Sequence, residues 1–119
     1  MGCAKTKTEI VEVVYIIKRG PIIKIESLKN VAFGKPDTIL VTFTGGSNGC
    51  FRPHHLEATY IRRDTIAFKA FYIYKKDESG PCTHNFPEHQ IYYIVKADSR
   101  GTYIYKADES YIQAKTVVY

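Results

Sequence analysis

Apolar and polar residues alternate with a period of two along almost the whole chain, and this alternation constrains the fold more than any other feature. In an extended strand successive side chains point to opposite faces, so period two fills one face of a sheet; a helix needs apolar residues at i, i+3, i+4 and i+7. No stretch carries helical spacing long enough to build on. Eight segments read as strands: 8–17, 22–27, 38–44, 56–61, 65–75, 89–96, 102–107 and 111–118. In the first, Val11, Val13, Tyr15 and Ile17 share a face; in the second, Ile23 and Ile25 do. The third is the clearest half-buried strand, with Ile39, Val41 and Phe43 inward and Thr38, Thr42 and Thr44 outward. Segment 65–75 is apolar on both faces, Ile66 and Phe68 on one and Phe71 and Ile73 on the other, which suits a central strand or one next to a bulge. Tyr103 and Tyr105 face one side of 102–107. Residues 28–37 read as irregular or edge structure, because Pro36 has no N–H to give to a ladder.

The punctuation agrees with this reading. Lys18-Arg19-Gly20-Pro21, Gly45-Gly46-Ser47-Asn48-Gly49, Arg62-Arg63-Asp64, the polar run 76–87, Asp98-Ser99-Arg100-Gly101 and Asp108-Glu109-Ser110 are all turn sequences. Short strands separated by turn signals every 8 to 12 residues define an all-β sandwich or small barrel. Ten Tyr, six Phe and no Trp among many Ile, Val and Thr reinforce the β bias. At 119 residues the chain can bury one core, so the expected organisation is a flexible tether over residues 1–7 and a single domain over 8–119. The net charge of +5 permits an anionic partner, although a surplus of this size is ordinarily solvated surface charge. No apolar run approaches the roughly 18 residues needed to cross a bilayer, and no signal-like h-region precedes Cys3.

The three cysteines separate into two settings. Cys50 follows Asn48-Gly49 and Cys82 follows Gly80-Pro81, both turn sequences, whereas an inert thiol is more often packed inside an apolar strand. A Cys50–Cys82 disulfide is therefore the expected pairing, with two free thiols as the alternative. A zinc site built from Cys50, His54, His55, Cys82, His84 and His89 is a further alternative. The Cys-x3-His and Cys-x-His spacings match none of the usual structural zinc patterns, so no metal or other cofactor is expected. Cys3 reads in three ways. Gly2 and Thr6 satisfy a myristoylation pattern in which Cys3 takes a second acyl chain; Cys3 is the lipid-bearing first residue of a mature bacterial lipoprotein; or it has no role. Myristoylation implies a reducing cytosol in which the disulfide would not persist, so the expected disulfide favours the lipoprotein anchor over myristoylation.

Several landmarks occur in a fixed order: Val31-Ala32-Phe33-Gly34-Lys35 before segment 38–44, Asn48-Gly49-Cys50 after it, Cys82-Thr83 beyond the long strand, and Gly101-Thr102-Tyr103 near the end. In this order the chain resembles small lipoproteins of Bacteroidetes-type bacteria that carry immunoglobulin-like β-sandwich domains. The segments Arg52-Pro53-His54-His55 and Glu88-His89-Gln90 have no counterpart in that pattern. The resemblance implies an immunoglobulin-like antiparallel sandwich of seven or eight strands, held in the outer membrane or periplasm of the envelope by lipid on Cys3. Asp98, Gly101 and Tyr103 also resemble the tyrosine corner of such sandwiches, with one extra residue between Asp98 and Gly101; an ordinary β-turn before an inward Tyr explains them equally well.

The function expected is a non-catalytic binding or scaffolding module whose partner is an envelope protein or glycan. Arg52, His54, His55 and His84 are the candidate binding-loop residues, because they flank Cys50 and Cys82 and sandwiches bind through end loops. A nucleic-acid or polyanion-binding barrel is the alternative, suggested by Tyr, Lys and Arg alternating between Tyr60 and Lys76; strand alternation alone produces the same pattern, and nucleic acid is not the favoured partner. A hydrolase would draw on Asp64, Glu78, Glu88 or the histidines, but no motif pairs a nucleophile with a base, so no catalytic residue is assigned.

Overall fold

A computed structural model describes residues 13–77 and 80–119. Cys3, Glu78 and the first part of segment 8–17 lie outside the described residues. Within them the chain forms nine strands and no helix: β1 Tyr15–Gly20, β2 Ile22–Glu26, β3 Asn30–Val31, β4 Pro36–Thr44, β5 Arg52–Arg62, β6 Thr65–Lys75, β7 Glu88–Lys96, β8 Gly101–Ala107 and β9 Gln113–Val118. They make two sheets stacked as a β-sandwich. The smaller has the order β2-β4-β7; the larger runs β1-β6-β8-β9-β3, with β5 on the other edge of β6.

Every second residue of β4 and β7 enters the space between the sheets. Asp37, Ile39, Val41 and Phe43 lie opposite Val95, Tyr93, Ile91 and His89 in the antiparallel register, and Ile39, Val41 and Phe43 are completely buried. The larger sheet answers with Ile66, Phe68, Ala70, Tyr103, Tyr105 and Ala107, and the Phe68 and Tyr93 rings meet edge to face at 5.2 Å. Among the described residues Asp37 is the one buried carboxylate. It is held there by two donors, the Tyr105 hydroxyl at 3.0 Å and the Leu28 amide at 3.3 Å, so the charge is not left unpaired. Burial, followed by the Asp37 charge, pushes the Tyr105 hydroxyl well above the ordinary phenol range.

The strand β6 is central, as its two apolar faces require, and its two halves have different neighbours along one edge. Residues 65–68 pair in parallel with β8, whereas residues 70–75 pair antiparallel with β1. The other edge carries β5 from Thr65 to Ile73. The distal halves of β5 and β6 thus form, with β1, a three-stranded wing reaching from the sandwich.

Five expectations require correction. Lys18-Arg19-Gly20-Pro21 is not a hairpin turn: β1 runs through Gly20, and the chain crosses at Pro21 from the large sheet into β2 of the small one. Proline suits the corner because it owes no N–H to either ladder, and its carbonyl accepts the Thr44 amide at 3.0 Å. Gly20 suits it because a Cβ there would collide with the Thr44 carbonyl. In β2 it is Ile22 and Ile25, not Ile23 and Ile25, that face the core; the pairing with β4 shifts between Ile22 and Lys24, and this bulge leaves Ile23 exposed. Thr42, expected outward, is buried on the central strand of its sheet, and its Oγ1 has no hydrogen-bond partner. Segment 56–61 is the end of a longer strand, β5, that begins at Arg52. The large sheet, finally, contains two parallel pairs, β6–β8 and β3–β9.

Candidate functional site

The two ends of the molecule were built differently, and the expected site residues gather at one of them. Cys50 and Cys82 form a disulfide with Cα atoms 5.4 Å apart and a sequence separation of 32, within the geometry such bonds require. It ties the turn after β4 to the segment 80–87 that leads into β7, reinforced by the Gly49 amide donating to the Thr83 carbonyl at 3.0 Å. Beside it Phe51 packs against Tyr72 and Tyr74, with ring centroids 5.8 and 4.5 Å away. Gly46, at φ +91°, lets the turn pass where any Cβ would enter the Phe51 ring.

Arg52, His54 and His55 do not lie in a loop. They belong to β5, where Arg52 and His55 pair against β6. The register shifts between Pro53 and His55, so His54 is the extra residue of a bulge, and two consecutive histidines approach one another with Nδ1 atoms 2.6 Å apart. His55 stacks flat on Phe71 at 4.5 Å, and its Nε2 lies 3.4 Å from Glu57. His84 is in the 76–87 loop and exposed. His89 is buried between Phe43 and Tyr72, with Nε2 2.9 Å from the Gly45 carbonyl, a packed and satisfied histidine. The thiols and imidazoles considered for zinc therefore disperse into a disulfide, a strand, a loop and the core; among the described residues no three His, Cys, Asp or Glu side chains converge on a metal position. A small hollow of ≈190 Å³ beside the disulfide is lined by Ser47, Asn48, Phe51 and Tyr74 as well as Cys50. None of Arg52, His54, His55 and His84 lines it.

Larger hollows lie at the opposite end, where the β5–β6 turn faces the β7–β8 turn. The first, ≈380 Å³, is walled by Tyr60, Arg62, Arg63, Lys96, Asp98 and Tyr103. The second, ≈370 Å³, shares Arg62, Arg63 and Tyr103 and adds Asp64, Arg100 and Thr102. Tyr103 forms the floor between them. Its hydroxyl lies 3.1 Å from both the Ser99 carbonyl and the Ser99 Oγ, and 3.2 Å from Asp98 Oδ1, so a Tyr at the start of a strand is bonded back to the preceding turn. The Asp64 carbonyl accepts the Ile104 amide at 2.8 Å, which ties the β5–β6 turn to β8, and within that turn Thr65 donates to Asp64 Oδ1 at 3.2 Å. Arg63 Nε approaches Asp98 at 3.9 Å, both side chains largely solvated, and the Arg100 guanidinium lies over the Phe33 ring at 4.7 Å. Burial, then the charges of neighbouring groups, raises the Tyr60 hydroxyl above its ordinary range.

Sequence reading identified Arg62-Arg63-Asp64 and Asp98-Ser99-Arg100-Gly101 only as turns. The signal that could have drawn attention was the Arg62-Arg63 pair and Arg100, since the residues favoured in tight turns are Gly, Asn, Asp and Ser. Comparison with models of protein families, with characterised proteins and with solved structures finds no match to this chain.

Proposed function

We propose that this chain is a non-catalytic binding domain of the bacterial cell envelope, lipid-anchored through Cys3 in the outer membrane or periplasm and built on an immunoglobulin-like sandwich. The observation that carries the reading is the Cys50–Cys82 disulfide, because such bonds persist in oxidising compartments and are rare in the cytosol. Of the readings of Cys3, the lipoprotein anchor agrees with it. The Tyr103 hydroxyl returning to Ser99 supports an immunoglobulin-type corner; the parallel β6–β8 pair is a departure from the all-antiparallel arrangement of that family. The binding role is supported by the paired hollows walled by Arg, Lys and Tyr, in which Asp64 and Asp98 are engaged by Thr65 and Tyr103.

The test is the state of the cysteines in protein recovered from the membrane fraction of its native cells. After alkylation in the cell, Cys50 and Cys82 are expected to escape the reagent until a reductant is added. Mass analysis is expected to find acyl chains on Cys3, and Cys3→Ser is expected to release the protein into the soluble fraction. Alkylated Cys50 and Cys82 together with an unmodified Cys3 would refute the envelope assignment.

A further inference from the structure

The two hollows beside Tyr103 repeat one pattern of charge. Arg62 and Arg63 stand on the ridge they share; the first hollow adds Lys96 and Asp98, and the second adds Arg100 and Asp64. Each therefore sees three cations and one carboxylate, and the pair together holds four cations against two carboxylates. Their volumes are nearly equal at ≈380 and ≈370 Å³. A repeated charge pattern in adjoining spaces of equal size suits a ligand that itself repeats, with one anionic group per unit.

The carboxylates narrow the chemistry. Asp64 receives Thr65 on Oδ1, and Asp98 receives Tyr103 on Oδ1; each carboxylate has a second oxygen with the capacity to accept a hydroxyl from a ligand. A polyanion without hydroxyl groups would gain only from the cations and would be repelled by both aspartates. A chain carrying acids and hydroxyls together uses both: guanidinium forks grip carboxylates in two parallel hydrogen bonds, and aspartates accept from hydroxyls. Tyr60, more than half exposed on the wall of the first hollow, offers an aromatic face for the apolar side of a sugar ring.

We propose that this double cleft binds an acidic oligosaccharide, a run of uronate sugars with one carboxylate in each hollow. The proposal rests on the reading of the chain as a binding module, and it is tested by ligand binding alone, independently of the lipid and disulfide measurements above. The probes are oligogalacturonate and oligoglucuronate of four units, a neutral glucose oligomer of equal length, polyphosphate and oligothymidylate, titrated calorimetrically into the purified disulfide-bonded chain. Saturable binding is expected for a uronate oligomer and none for the neutral one. Arg62→Ala with Arg63→Ala is expected to weaken uronate binding by about tenfold or more. Asp64→Asn is the deciding variant: a site that recognises hydroxyls loses affinity, whereas a plain polyanion surface gains it because a repulsive charge is gone. Thermal melting of each variant checks that the fold is kept. Tighter binding by Asp64→Asn, or polyphosphate or oligothymidylate binding as well as the uronates, overturns the proposal in favour of a general anion surface. Failure of a folded, oxidised chain to bind either uronate oligomer overturns it while leaving the envelope assignment standing.

Discussion

The proximal and distal halves of β6 are one continuous strand in two physical settings. Ile66, Ala67, Phe68 and Ala70 are buried, three of them without measurable exposure, because β4, β7 and β2 close over one face and β8 extends the sheet. Phe71 to Lys75 are partly exposed throughout, although four of the five are apolar or aromatic and Phe71 to Ile73 are paired on both edges. Hydrogen-bonded pairing alone thus does not make a core; a second layer does. The wing compensates with short-range devices: the disulfide, the Phe51-Tyr72-Tyr74 cluster and the flat His55–Phe71 stack. Aromatic contacts of that kind are worth about 0.5–1.5 kcal/mol each beyond area burial.

The sharpest way to break this contrast is to truncate one aromatic ring in each half. Phe68→Ala removes a fully buried ring that touches Tyr93 and is expected to cost about 3–5 kcal/mol in urea unfolding. Phe71→Ala, which loses only the His55 stack and a partly exposed surface, is expected to cost about 1 kcal/mol. Equal losses would show that the wing is a core in its own right. Next in size is the disulfide. Closing a loop with a sequence separation of 32 is expected to contribute about 3–4 kcal/mol through the unfolded chain, so Cys50→Ser with Cys82→Ser should lower the urea midpoint by a matching amount. Hydrogen exchange should then show the wing strands β1 and distal β5 opening before β4 and β7.

The same division explains what could be read from the residues. Ile39, Val41 and Phe43 were legible because a strand against a closed core must alternate strictly, and Tyr103 and Tyr105 were legible for the same reason. The failures fall where a bulge or a sheet crossing interrupts period two. Ile23 looked inward until the bulge before Lys24 turned it out. His54 and His55 looked like loop because Pro53 precedes them and a bulge places both where one belongs. Gly20-Pro21 looked like a plain turn because the residues that reverse a chain are those that let it change sheets. The Cys50–Cys82 bond was readable from turn chemistry, whereas the Arg-walled hollows were not, since they join two turns 34 or more residues apart whose proximity follows from the parallel pairing of β6 with β8, a long-range register that the residues do not announce.

Between the two halves in expected effect is the polar pin of the core. Tyr105→Phe leaves Asp37 Oδ2 without its donor in a buried site and is expected to cost about 1–3 kcal/mol at pH 7. The pH dependence has a definite sign. The folded chain holds the Tyr105 proton more tightly than the unfolded chain, whose phenol titrates near 10.0. Below that pH both states carry the proton and the difference contributes fully; above it the unfolded state alone releases the proton, so stability falls as pH rises, by up to about 1.4 kcal/mol per pH unit. Urea midpoints at pH 8 and 11 should therefore converge in Tyr105→Phe relative to the parent. Parallel lines would show that Tyr105 ionises as readily in the folded protein.

The smallest expected effect lies at the seam itself. Arg19, near the end of β1, reaches Glu109 at 2.8 Å and Asp108 at 3.0 Å in the β8–β9 turn, and Glu109 also accepts the Ile22 amide at 2.9 Å. These acids, Glu109 foremost, raise the guanidinium above its usual range. The side chains are partly solvated, so Arg19→Ala is expected to cost no more than about 1 kcal/mol globally, and less in 1 M salt, where the screening length falls to about 3 Å. Its local effect should be larger than its global one. Glu109 still holds the Ile22 amide when Arg19 is gone, so β2 should keep its exchange protection while β1 loses some. Such a split locates the hinge between wing and sandwich at Gly20-Pro21; joint loss in β1 and β2 would mean that the two regions open as one.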